Sequence, residues 1–526
     1  MPTYNTPAEW LQEAIDSVRA QLYENWELCI ADDASTDAAV RDVLERAAKQ
    51  NERIKVTYRE ENGHISAASN SALELCTGEW VALMDHDDLL AEHALYCVAE
   101  TINHHPNAQL IYSDEDKVSE HGYRFEPYFK CEFNRDLLYS QNMICHLALY
   151  RREMLDDIGG FREGFEGAQD HDLALRYIER IKARQIHHIP KVLYHWRHHP
   201  GSTTKGLAEK PYAVKAGERA LQEHFDRTGV SARAEGSLTG YRIHYALPSP
   251  PPLVSLIIPT RNGLELLRAC IDSIRDRTNY PNYEILVIDN GSDDSETLNY
   301  LNQLSTVRQV SVLRDERPFN FGKLNNTAVA QVKGELVGLL NNDIEVIEPG
   351  WLTEMVGLAC QEGVGAVGAK LLYPNGNIQH AGVVLGLGGV AGHAFKLLPG
   401  TEPGYHHRAQ LTCSYSAVTA ACLIIRKETY QDVGGFEENN LMVAFNDIDF
   451  CIRLREAGFR NVWSPHALLY HHESATRGHE DTKEKLTRFD KEVRFMQKRW
   501  GRMLLEDPCY SSNSVSYTHL RAHETT

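Results

Sequence analysis

The chain has 526 residues, 42% hydrophobic and 24% charged, with a formal net charge of −19. That length predicts more than one domain, each able to bury a full core, and the acidity argues against a nucleic-acid partner, whose phosphates are gripped by clustered Lys and Arg. The 11 cysteines are scattered without a CxxC pair, which fits a reducing cytoplasm better than a disulfide framework. No apolar run approaches the roughly 18 residues that cross a bilayer.

The same segments occur twice, in the same order. Met1-Pro-Thr-Tyr-Asn5 returns as Ile258-Pro-Thr-Arg-Asn262. In the second copy a strand over Leu253–Ile258 leads into this loop, whereas the first copy has almost nothing before it. The expectation is a chain cut or misassigned at its start, with a central strand too short to stabilise the first domain. A helix follows in each copy, with Leu11, Ala14, Ile15 and Val18, or Leu267, Cys270, Ile271 and Ile274, apolar at helical spacing. Next come short apolar strands over Leu28–Ala31 and Ile285–Ile288. They run into Asp32-Asp-Ala-Ser-Thr-Asp37 and Asp289-Asn-Gly-Ser-Asp-Asp294. A further helix and strand precede Val81–Met84, which ends in Asp85-His-Asp-Asp88, and Leu336–Leu340, which ends in Asn341-Asn-Asp343. Gly159-Gly-Phe161 with Gln169-Asp-His-Asp-Leu173 returns as Gly434-Gly-Phe436 with Asn446-Asp-Ile-Asp-Phe450, and Tyr194-His195 as Tyr470-His471.

The second copy is longer by about twenty residues, and a period this long means tandem domains rather than a solenoid. Alternating strands and helices predict a mostly parallel α/β sheet in each. Every acidic motif then stands at the carboxyl end of a strand, where open sheets bind ligands. The expected division is 1–247 for the first domain, a Pro-rich spacer at 248–252, 253–505 for the second domain, and a disordered or foreign tail at 506–526.

Asp85 and Asp87, one residue apart on a tight turn, can face one cation. Hard oxygen ligands suit Mg²⁺ or Mn²⁺, and a site lined with Asp needs such a cation before it can hold a phosphate. A lone pair of this kind is usually a solvated turn; its return as Asn341 and Asp343 is what raises it above that. Asp32 and Asp289, ending buried strands, are placed to accept hydrogen bonds from a base or ribose, while Ser35 or Asp37, and Ser292 or Asp294, are placed to cap the next helix. Asp170 and Asp447 read either as helix caps or as general bases for an acceptor hydroxyl, with Asp172 and Asp449 orienting. His195 and His471 are candidate neutral ligands to the same metal. Gly363-Val-Gly-Ala-Val-Gly368 matches a dinucleotide fingerprint but follows a helix and opens a strand, the reverse of what that motif requires.

Together these residues resemble family 2 glycosyltransferases of the GT-A fold, inverting enzymes that use nucleotide sugars, and above all tandem two-domain members associated with bacterial surface polysaccharides. The resemblance implies two Rossmann-like GT-A domains. It implies that the Pro-Thr-x-Asn loops (Pro2, Thr3, Asn5; Pro259, Thr260, Asn262) and the ledge acids Asp32 and Asp289 hold the nucleotide. It assigns Asp85, Asp87, Asn341 and Asp343 to diphosphate and metal, and Asp170 and Asp447 to the acceptor hydroxyl. The implied partners are a nucleotide-diphosphate sugar and a glycan or lipid-linked acceptor; the latter would bring a cytoplasmic chain to the inner face of the membrane as a peripheral protein. Gln169 and Asn446 depart from the Glu usual before the base, and Asn341 weakens the second metal motif, so the second domain is expected to be the less secure of the two.

Other readings stay open: one active domain beside an acceptor-binding one, a sugar nucleotidyltransferase, or a non-catalytic carbohydrate binder using Tyr123, Phe125, Tyr128 and Phe129. The nucleotidyltransferase reading lacks a Gly-rich basic phosphate loop. A hydrolase with paired carboxylates would have no use for a nucleotide ledge.

Overall fold

The computed structural model describes residues 1–199, 211–472 and 482–514. The chain divides into two units, Met1–Ile243 with the residues from Ser511, and His244–Tyr510.

The second unit has one ten-stranded mixed sheet. Its centre is Val254–Thr260, apolar and almost wholly buried, as a strand covered on both faces must be. This strand pairs in parallel with Tyr283–Asp289 on one side and Leu336–Leu340 on the other. Leu336–Leu340 then pairs antiparallel with Cys422–Arg426. The helix Leu264–Arg277 buries Leu267, Cys270, Ile271 and Ile274 against the sheet, the spacing read from sequence.

In the first unit the same plan is broken in two. Pro2–Thr3 pairs with Leu28–Asp32 in a three-stranded sheet, while Trp80–Ala82 belongs to a separate six-stranded one. A cavity of 970 Å³ is lined by Leu28 and Cys29 on one side and Trp80, Val81 and Ala82 on the other. Those are the counterparts of the strands that Val254–Thr260 joins in the second unit.

The Pro-rich joint expected as a spacer is anchored at its end: Tyr280 donates its hydroxyl to the Pro252 carbonyl at 2.6 Å and Asn282 its amide to that of Pro251 at 2.9 Å. The tail expected from 506 is packed as far as 514. Asp507 accepts from Leu385 N at 2.7 Å and from the Ser416 hydroxyl at 2.5 Å, and Cys509 is buried. Short polar side chains that find backbone partners need no apolar periodicity, which is why this segment reads as loose. Residues 515–526 lie outside the described part.

The Gly-Gly-Phe turns have a packing reason. Gly159, Gly160, Gly434 and Gly435 all have positive φ. A Cβ on Gly160 would lie 2.5 Å from Asn70 Oδ1, and one on Gly435 2.5 Å from Asn326 Oδ1. Those two amides clasp the following residue, Asn70 bonding Phe161 N and O at 2.8 Å each and Asn326 bonding Phe436 N and O at 2.9 Å each.

Candidate active site

In the second unit the predicted residues meet at one edge of the sheet. Thr260 is in register with Asp289 at the strand ends. Asn342 reaches from the acidic turn to donate to Thr260 Oγ1 at 3.0 Å. On its other side the turn is tied by Asn341 N to the Ala421 carbonyl at 3.0 Å. The preceding residue, Ala420, gives its N–H to Asp447 Oδ2 at 3.1 Å, and the Thr419 hydroxyl donates to the same oxygen at 3.1 Å. Asp447 is no helix cap: Phe445 holds the cap position of Asn446–Glu456 with no side-chain bond. Burial pushes the Asp447 carboxyl above its usual range, against the pull of Ala420 N, Thr419 Oγ1 and Ile448 N. Asp449 orients, accepting from Arg453 at 2.9 Å and Trp500 Nε1 at 3.0 Å.

His471 Nε2 accepts from Asn341 Nδ2 at 3.2 Å and lies 3.3 Å from Asp343 Oδ1. Asp343 Oδ1 and His471 Nδ1 have no hydrogen-bond partner although both are buried. A cation could take the unpartnered Asp343 Oδ1 together with His471 Nε2, which would exchange its bond from Asn341 for the metal, and the mixed oxygen and nitrogen set fits Mn²⁺.

The first unit gathers its set along a parallel route. Thr3 is in register with Asp32, and His86 Nδ1 lies 3.1 Å from the Pro2 carbonyl. His146 Nε2 stands 3.8 Å from Asp85, and Asn142 donates to Asp170 Oδ2 at 2.9 Å. Asp170, like Asp447, is not the cap of its helix; Ala168 is. Burial pulls the His146 imidazole down, but bonding to Glu115 and attraction to Asp85 lift it to about 9. The tightest group of metal-type side chains among the described residues is Glu115, Cys145 and His146. It already holds a cation: Lys130 Nζ lies 3.1 Å from Glu115 Oε2 and 2.7 Å from the His146 carbonyl.

His195 does not join this site. Its Nδ1 bonds Asp116 Oδ1 at 2.6 Å. The strand Ile186–His198 carries two register irregularities against Leu110–Ser119 where the second unit has one in this stretch, after Ala369. The net slip is the same in both, since Ile189 to Tyr194 spans the same stretch of ladder as Ser464 to Leu469, so His195 falls at the position of Tyr470 rather than of His471 and points to the other face. His199 stands nearer the metal turn instead, Nε2 3.1 Å from Asp87 Oδ2. The loop asparagines also differ from expectation. Asn5 Oδ1 accepts from Thr36 N at 2.9 Å and Asp37 N at 3.2 Å, and Asn262 Oδ1 from Asp293 N at 3.1 Å and Asp294 N at 3.2 Å. Each ties two loops together with its side-chain oxygen. Asp37 and Asp294 are the helix caps.

Two tandem α/β units with acids at the ends of their sheet strands have the GT-A-type fold of nucleotide-sugar transferases. The chain belongs to glycosyl transferase family 2, whose sequence profile matches residues 1–159 and 255–431. It is 54% identical, over 98% of its length, to the uncharacterized protein y4gI of Sinorhizobium fredii (strain NBRC 101917 / NGR234). It is 40% identical, over 90% of its length, to the O-antigen biosynthesis protein RfbC of Myxococcus xanthus. The aligned parts make up 57% and 37% of those relatives. Among solved structures, GalNAc-T7 with UDP, GalNAc and Mn²⁺ aligns with 16% identity and a TM-score of 0.39, over 48% of this chain and 50% of that one. No helix among the described residues is long and apolar enough to cross a membrane.

Proposed function

We propose that the chain transfers a sugar from a nucleotide-diphosphate donor to a glycan or lipid-linked acceptor hydroxyl with inversion at the anomeric carbon, and that the second unit is its better-built centre. The observation that carries this is the bonded path from Asp289 through Thr260, Asn342, Asn341 and Ala420 to Asp447, with Asp343 and His471 beside it.

Asp289 and Thr260 hold the nucleotide. Asp343 and His471 would hold Mn²⁺ or Mg²⁺, which when bound neutralises charge on the departing diphosphate. Asp447, raised by burial, takes the proton from the acceptor oxygen as that oxygen attacks from the face opposite the leaving group. The first unit works in the same way through Asp32, Asp85, Asp87 and Asp170. The name of the Myxococcus relative supports an acceptor among cell-surface polysaccharides.

In a second reading the first unit only binds the acceptor, which the displaced His195 favours. Asp170→Asn and Asp447→Asn, made separately, decide between the two. A panel of nucleotide sugars with Mn²⁺ is assayed for release of nucleoside diphosphate. If Asp447→Asn alone abolishes all turnover and Asp170→Asn does nothing, the first unit is a binding module. No release from folded parent protein across the panel defeats both readings.

A further inference from the structure

We propose that Glu492 is a positioning residue for the second unit's base, acting through the loop that leads into Asp447. This rests on the reading of Asp447 given above. Glu492 lies on the helix Lys483–Trp500 and is 1% exposed. Its Oε1 accepts from Met442 N at 2.8 Å and Val443 N at 2.9 Å, and its Oε2 from Ala444 N at 3.3 Å. Three consecutive amides turned onto one carboxylate fix the path of the chain just before Phe445, which enters the helix in the left-handed region (φ 61°). Asp447 follows two residues later.

The same helix grips this loop and the Asp-x-Asp motif at two further points. Phe489 packs on Phe445 with ring centroids 5.4 Å apart, and Trp500 Nε1 donates to Asp449. Phe321 N also bonds the Met442 carbonyl at 2.9 Å, which ties the loop to the Phe321–Gln331 helix. The first unit holds the equivalent loop with other groups: Glu166 takes Gly164 N at 3.0 Å, Gln169 takes Gly167 N at 2.7 Å, and Arg219 of the helix Pro211–Thr228 donates to the Gly164 carbonyl. Glu492 is therefore a device of the second unit. Misplacing a reacting group by about an ångström costs on the order of a hundredfold in rate, so a buried anion that sets the approach to Asp447 has leverage on turnover without touching the donor.

The test uses the full chain carrying Asp170→Asn, with Glu492→Ala and Glu492→Gln added singly. Turnover is measured with the sugar nucleotide that the parent accepts. Binding of uridine and guanosine diphosphate with Mn²⁺ is measured by calorimetry, and amide exchange is followed over 442–448. Glu492→Ala should lower kcat by about tenfold or more and speed exchange at 442–448, with diphosphate affinity within about twofold of the parent. Glu492→Gln, which keeps one acceptor oxygen, should fall between. Unchanged kcat, or diphosphate affinity lost in step with kcat, overturns the proposal. If Glu492→Ala does not fold, the Gln variant decides by the same two measures. Should Asp447→Asn prove fully active, the base reading fails independently, and unchanged exchange over 445–448 in Glu492→Gln would sink the clamp on its own.

Discussion

The two units share one plan and differ at two places that bear on function. At the metal turn, the charged set of Asp85, Glu115 and His146 is replaced by Asn341, Leu371 and Ala421, leaving Asp343 opposite His471. At the nucleotide ledge both acids take the loop serine, Ser35 N to Asp32 Oδ2 at 3.3 Å and Ser292 N to Asp289 Oδ1 at 2.9 Å, but Asp32 Oδ1 is buried without a partner where Asp289 has the Arg314 guanidinium. Sequence alone ranks the second unit as the weaker because it has one carboxylate fewer at the turn. The proposed ranking is the reverse, because Lys130 already occupies the Glu115 and His146 group of the first unit, whereas Asp343 Oδ1 is buried without a hydrogen-bond partner.

The largest expected effect separates the units by their bases. Asp447→Asn should cost about 10²–10⁴-fold in the turnover of the second unit, and Asp170→Asn the same in the first if that unit is active, each read from nucleoside diphosphate release. Chelating the divalent ion should remove turnover in both. Next in size is the histidine contrast. His471→Ala should weaken Mn²⁺-dependent diphosphate binding about tenfold or more. His195→Ala should leave it unchanged and cost only stability, about 1 kcal/mol, because Asp116 loses one partner but keeps Arg124 at 2.6 Å. Equal effects of the two substitutions on binding would break the argument from register.

The tandem fold, the parallel strands and the placing of acids at strand ends were legible because they rest on local patterns that recur. The helix faces of Leu11 and Leu267 packed as their spacing requires. What stayed hidden depends on pairing between distant segments. A one-residue offset that turns His195 away cannot be seen in Tyr194-His195, which matches Tyr470-His471 letter for letter. Asn70 and Asn326, which hold the Gly-Gly-Phe turns, were overlooked, although each precedes its Gly-Glu segment at a matching distance and so carried a repeat signal. Glu492 had none, since a carboxylate collecting backbone amides looks like any acid on an exposed helix.

The smallest effect tests how the first unit manages as it stands. In the second unit Gly334 N, just before the acidic strand, donates to Ser255 Oγ on the central strand at 2.9 Å. Its counterpart Gly78 N donates instead to Glu27 Oε1 at 2.9 Å, and Lys55 and Thr77 bind the same carboxylate. Burial pushes the Glu27 carboxyl up, but those bonds outweigh it and hold it at about 2. A folded value below the unfolded 4.5 means stability that is present above about pH 4.5 and lost as pH falls toward 2. Glu27→Gln should therefore lower the stability of the first unit by about 1–2 kcal/mol at pH 7, allowing for solvent screening, and by almost nothing near pH 2. Denaturant unfolding of the parent and Glu27→Gln chains at pH 7 and near pH 2 reads this difference, and an equal cost at both pH values would show that the Glu27 charge is not what holds Gly78 and Thr77.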